Sequence, residues 1–182
     1  MERVRQMNEK MNVLDVQLDN CTAKDAMKII AEYMQTEELN TVDIVTVDTL
    51  MRATQLDGMK EELEKLDLLL PGDMAILEAA KITDRKRIQE MEDQTLLKMV
   101  FHYFHKNRCK IFILAGSEEE GDRLQGYLHE AYSGIQVIGM KAVPVNKLFL
   151  PREIHAGNHT VYFSAVDQIG DPVILTFVCR YC

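Results

Sequence analysis

The chain has 182 residues, 47% of them hydrophobic and 27% charged, with 21 Lys and Arg against 29 Asp and Glu and a formal net charge of −8. That length can bury a real core and fits one globular domain, while the acidic balance argues against a nucleic-acid binder, whose affinity depends on a basic face. The charged start, Met1-Glu2-Arg3-Val4-Arg5-Gln6, argues against a secretory signal, and no apolar run approaches the roughly 18–20 residues that cross a bilayer. The expectation is a soluble, cytoplasmic protein, at most peripheral to a membrane.

In chain order, Val13 to Asp19 roughly alternates with period two and predicts a strand. Thr22 then reads as a helix cap with Asp25 three residues on, followed by an apolar stripe of Ala26, Ile29, Ile30, Tyr33 and Met34. The β-branched run Thr41 to Val47 predicts a second strand, ending near Asp48-Thr49. Met59, Leu63 and Leu66 give a further helical face. Leu66 to Ala80 reads as a buried strand, a sharp Pro71-Gly72-Asp73 turn and a helix. From Asp84 to about His105 the spacing is helical, with Ile88, Met91, Leu96, Met99, Val100, Tyr103 and Phe104 as a core stripe.

Lys110 to Gly116 predicts the clearest strand. Ser117 follows as a cap with Glu120 at capping-box spacing, and Leu124, Tyr127, Leu128 and Ala131 continue as a helix. Ile135 to Gly139 predicts another strand. Strands thus alternate with helices from about residue 13 to 139, which predicts an α/β fold with a mostly parallel sheet flanked by helices. The character changes near Pro144. Residues 151 to 159 are loop-like, Val161 to Phe163 and Val173 to Val178 are strand-like, and Gly170-Asp171-Pro172 is a turn between them. The division expected is a Rossmann-like domain over 1–143 and an irregular, β-rich tail over 144–182.

Cys21, Cys109, Cys179 and Cys182 are irregularly spaced and read as free thiols. Cys179 and Cys182 form half of a zinc-type pair without a second half, and His102 and His105 share one helix face without further ligands, so no metal site is expected. GxSxG, HExxH and P-loop motifs are absent from the sequence. The chemistry-bearing residues fall instead at three turns, Thr46-Val47-Asp48, Pro71-Gly72-Asp73 and Ala115-Gly116-Ser117. Each follows a strand and precedes a helix, so all three are expected on one edge of the sheet, where α/β folds bind ligands. Thr46, Asp48 and Asp73 would offer a hydroxyl and two carboxylates there, with helix N-termini for a phosphate. Asp73 reads equally as a simple helix cap. Glu118, Glu119 and Glu120 suit a capping role and would repel a diphosphate. Arg85, Lys86 and Arg87 form the one compact basic cluster, either a solvated run or a reach toward a ligand.

With these segments placed, residues 12 to 143 resemble the WecG/TagA/CpsF family of bacterial glycosyltransferases. The resemblance rests on Asn12-Val13-Leu14-Asp15-Val16, the helix after Thr22 to Ala26, Thr46 to Met51, Leu66 to Ala80, Ile111 to Ser117, and Ala131 to Gly139. It implies a Rossmann-like fold and transfer of an N-acetylmannosamine-type sugar from a UDP donor to a lipid-linked acceptor at the inner membrane face, in making teichoic acid or another surface polymer. It implies no cofactor, and the family's self-association suggests a homo-oligomer. By alignment the family's candidate base falls on Thr46, its active-site acid on position 72, and its diphosphate-binding Arg on Arg87. Asp73 becomes the displaced acid, with Asp48, Gly72, Arg87 and Gly116 as the substrate-binding set. The chain departs from the pattern in several places. Gly72-Asp73 replaces the family's Asp-Gly, and Arg87-Ile88-Gln89-Glu90-Met91-Glu92 stands where the family has Arg-x-x-Gly-x-Asp. The family's later segment is not recognisable in residues 144 to 182. A degenerate, non-catalytic binding relative and an unrelated Rossmann-like nucleotide-binding domain therefore stand as alternative readings.

Overall fold

The computed structural model describes residues 9–36 and 40–142, and the backbone of two further strands over 161–166 and 174–179. The expected loop of residues 151–159, the Gly170 to Pro172 turn and the Cys179/Cys182 side chains lie outside the described residues. The elements run β1 (Lys10–Val13), β2 (Val16–Asp19), α1 (Ala23–Tyr33), β3 (Asn40–Val45), α2 (Val47–Gln55), α3 (Met59–Glu64), β4 (Leu68–Pro71) and α4 (Met74–Ala79). They continue with α5 (Arg85–Glu92), α6 (Thr95–Asn107), β5 (Lys110–Ala115), α7 (Glu118–Ala131), β6 (Gln136–Ala142), β7 (Val161–Val166) and β8 (Ile174–Cys179).

Six strands form one sheet in the order β4-β3-β8-β7-β5-β6. β3 and β4 are parallel, as are β7, β5 and β6, and β8 alone runs antiparallel to both of its neighbours. Two antiparallel steps restore the direction, so β3, β4 and β5 all point their carboxyl ends to one edge. This is the α/β fold with parallel strands flanked by helices that the sequence predicts. Its C-terminal strands β7 and β8 lie in the middle of the sheet.

Each face of the sheet buries its own cluster, because successive strand residues point to opposite sides. On one face Val42, Leu68, Leu70, Ile111, Ile113 and Ala115 pack with Ile29, Ile30, Val100, Phe101, Phe104 and Leu128 from α1, α6 and α7. On the other, Val45 and Leu69 pack with Leu50, Ala53, Leu63, Ile76 and Leu77, and with Met11, Val13, Val16 and Leu18. Asp19 joins this layer to the sheet. Its Oδ2 accepts from the Leu69 N–H at 2.9 Å and its Oδ1 pairs with Lys10 at 2.7 Å. A carboxylate thereby satisfies an outward amide of edge strand β4.

Four sequence expectations are corrected. Val13 to Asp19 is not one strand: Leu14 and Asp15, at φ 52° and 61°, turn the chain between β1 and β2. A two-residue hairpin with positive φ at both positions normally draws Asn and Gly. Leu-Asp carries no such marker, and the alternating pattern reads straight through it. Leu66 lies beyond α3, though it is buried. The long helix from Asp84 breaks at Asp93-Gln94, where Gln94 adopts φ 51°. That break lets Ile88 and Met91 pack against the second cluster while Leu96, Met99 and Tyr103 pack against the first. Cys21 is a free thiol as read, but Cys109, fully buried at the start of β5, is disulfide-bonded.

Candidate functional site

The three predicted turns open on one edge and divide into a close pair and a distant third. Thr46 caps α2, with its Oγ1 accepting from the Thr49 N–H at 3.3 Å and lying 3.2 Å from Thr49 Oγ1. Both hydroxyls are buried, so Thr46 is committed to holding the helix start. Asp48, in the first turn of α2, is exposed and pairs with Arg52 at 2.9 Å along the helix surface.

Asp73 occupies the cap position of α4 but makes no side-chain bond to that helix. Its Oδ2 instead accepts from the Val47 N–H, the first amide of α2, at 2.5 Å. The simple reading of Asp73 as a cap is thus right in kind and wrong in helix. A carboxylate there satisfies an orphan amide and meets the positive end of the α2 dipole. It also ties the β3 and β4 turns into one unit.

Gly72 makes this approach possible. Its N–H donates to the Val45 carbonyl at 2.7 Å. A Cβ on residue 72 would lie 2.8 Å from Val45 O and 3.0 Å from Ile44 Cγ2. Backbone cannot yield as a flexible side chain can, so position 72 accepts glycine and excludes aspartate in this geometry. The exchanged order Gly72-Asp73 is therefore built into the contact between the two turns.

Beside this unit lies a cleft of about 110 Å³. Ile44, Leu70, Pro71 and Gly72 form its floor, and the start of α1 with Cys21 and Thr22 forms one wall. Arg87, Glu90 and Met91 of α5 and residues Gln94 to Leu97 complete it. Arg87 Nη1 donates to Asn20 Oδ1 at 2.8 Å, which fixes the guanidinium at the wall and leaves its other donors for a ligand. Arg85, Lys86 and Arg87 fill the first turn of α5, which carries no acid. Asp84 caps this helix, its Oδ1 accepting from the Lys86 N–H at 2.8 Å, which sets a negative charge beside the three cations.

Thr22 caps α1 as predicted, accepting from the Asp25 N–H at 3.2 Å and donating to Asp25 Oδ2 at 2.7 Å. That bond, with the one from Lys28, holds the Asp25 carboxyl below the usual carboxylate range. Burial, with Asp19 nearby, pushes the Cys21 thiol up to about 11, which keeps it protonated at neutral pH. Sequence reasoning missed Cys21 and Glu90 as cleft residues, because no pattern linked the β2–α1 turn to α5.

Gly116 follows β5, three strand positions from β3. At the usual spacing that is about 14 Å along the edge. It faces the same side of the sheet edge but does not line the cleft. Ser117 makes the predicted capping box, accepting from the Glu120 N–H at 3.2 Å while Glu120 Oε2 accepts from the Ser117 N–H at 3.2 Å. Among the described residues no three His, Cys, Asp or Glu side chains are grouped to hold a metal ion, and no helix is long and apolar enough to cross a membrane.

A family model described as the glycosyl transferase WecG/TagA/CpsF family matches residues 11–160. No curated protein matches the chain.

Proposed function

This chain belongs to the WecG/TagA/CpsF family of glycosyl transferases, and from that premise we propose that its β3/β4 cleft binds a UDP-N-acetylhexosamine and transfers the sugar to a lipid-linked acceptor. The product would serve a surface polymer such as teichoic acid. The observation that supports this reading is the joined β3–β4 hinge: Asp73, itself outside the cleft lining, directly follows the lining residue Gly72, and Arg87 belongs to the same lining. In this reading Arg87 neutralises charge on the departing diphosphate, where a preorganised cation lowers the barrier most. Asp73 is the general base toward the acceptor hydroxyl, using the oxygen not bonded to Val47. Thr46, whose hydroxyl is engaged at the start of α2, positions the hinge rather than taking the proton. In this reading Asp48, exposed in the first turn of α2, meets the ligand outside the cleft lining, Gly72 gives the sugar a close backbone approach, and the nucleoside extends along the edge toward Gly116. Exposed Val47 and Met51, one turn apart on α2 beside the hinge, suit a peripheral site at the inner face of the membrane. Self-association through edge strand β6, where Ile138 is exposed, fits a homo-oligomer.

A non-catalytic relative is the second reading, favoured by Gly72-Asp73 in exchanged order and by Glu90 inside the cleft. The two part on one assay: transfer from a UDP-N-acetylhexosamine to lipid-linked sugar acceptors by wild type and Asp73→Asn. Turnover in wild type that drops at least about a hundredfold in Asp73→Asn supports the enzyme, as expected for loss of a general base. Donor binding with no turnover in wild type supports the binding relative.

A further inference from the structure

Among the described residues that line the cleft, Glu90 is the one anion and Arg87 the one cation. The two stand three residues apart on α5, so they share one helix face. Glu90 Oε2 accepts from the Ala23 N–H, the first amide of α1, at 3.0 Å, across 67 positions of sequence. The Arg87 guanidinium is held by Asn20, whose Oδ1 accepts from Arg87 Nη1 at 2.8 Å. The described lining is therefore formally neutral and already contains a carboxylate. A diphosphate carries at least two negative charges, and one Arg offset by one Glu cannot neutralise them. Like charges brought together in a partly desolvated site oppose binding.

We infer that Glu90 is an internal competitor that sets the donor affinity of this cleft, holding it weak for diphosphates relative to the neutral parts of the ligand. The inference rests on the β3/β4 cleft being the donor site. The carboxylate does structural work as well, since it ties α5 to the start of α1. The two roles separate by charge. Glu90→Gln keeps an oxygen that can accept from Ala23 and removes the negative charge, and Glu90→Ala removes both.

The test is calorimetric titration of the full chain with UDP and, separately, with uridine. The expected result is UDP bound about tenfold tighter by Glu90→Gln than by wild type, with uridine affinity unchanged. Glu90→Ala should move UDP affinity the same way, whatever its stability. UDP binding by wild type and both variants within twofold of one another overturns the inference and leaves the donor site standing. Tightening of uridine as much as UDP overturns it too, because the effect would then be on shape and not on charge. UDP bound by none of the three proteins overturns both the inference and the proposed donor site.

Discussion

At the β5–α7 hinge, Ser117 and Glu120 satisfy the amides of their own helix, and the turn is closed by residues three apart in sequence. At the β4–α4 hinge, Asp73 leaves its own helix without a side-chain cap and reaches 26 positions back to the first amide of α2. Both turns follow a parallel strand and open on the same edge. One uses its polar side chains locally and is self-contained. The other spends its carboxylate on a neighbour, which draws two turns together beside a cleft. A hinge becomes a candidate for chemistry when its side chains are committed to elements distant in sequence, because that commitment preorganises groups from several strands at once.

The contrast is broken most strongly at Gly72. Gly72→Asp, with Asp73 kept, puts the family's acid at position 72 and places its Cβ 2.8 Å from the Val45 carbonyl. Urea denaturation should show a loss of about 3 kcal/mol, the upper range for overpacking. A stability equal to wild type would show that the β3–β4 contact is not tight.

Cys21 probes the cleft wall by pH. Its folded value of about 11 lies above the unfolded 9.0. The folded state therefore holds the thiol proton more firmly, and the resulting stability is present below pH 9 and lost as pH rises from 9 to 11. At most about 2.7 kcal/mol is at stake, two units at 1.36 kcal/mol each. The wild-type curve should fall more steeply than that of Cys21→Ala across this window, and parallel curves would contradict the placement of the thiol. Iodoacetamide should also label Cys21 slowly at pH 8.

Asp73→Ala should cost about 1.5 kcal/mol by removing the charge-assisted cap on α2, while Asp73→Asn keeps most of that stability. Equal loss in both would place the effect outside the Val47 hydrogen bond. At the self-contained hinge Ser117→Ala should cost about 1 kcal/mol, the usual value for one lost cap, read by thermal unfolding.

Much of this arrangement was legible in the sequence. Alternating strands and helices predicted the parallel strands, and the caps at Thr22 and Ser117 followed from spacing alone. The shared edge of the Thr46, Asp73 and Gly116 turns followed from chain direction. What stayed hidden depends on contacts between segments far apart. Asp73 looks the same in sequence whether it caps α4 or α2, and only the proximity of β3 and β4 decides. Leu14-Asp15 adopts a turn that its residue types do not announce. Glu90 was visible as a departure from the family's glycine, but its reach to Ala23 was not, since α1 and α5 meet only in the folded chain. Cys109 read as a free thiol because pairing depends on geometry that spacing does not carry.

The cleft beside the Asp73 hinge is proposed to hold the diphosphate of a sugar nucleotide through Arg87. The direct measurement is calorimetric titration of UDP-N-acetylglucosamine into wild type, Arg87→Ala and Lys65→Ala. Lys65 pairs with Glu62 near the amino end of β4, so its loss removes the same charge at the opposite edge of the sheet. Wild type and Lys65→Ala should bind alike, with affinity weakened at least about tenfold in Arg87→Ala. Equal affinity in wild type and Arg87→Ala, or no binding by wild type, would contradict the proposal.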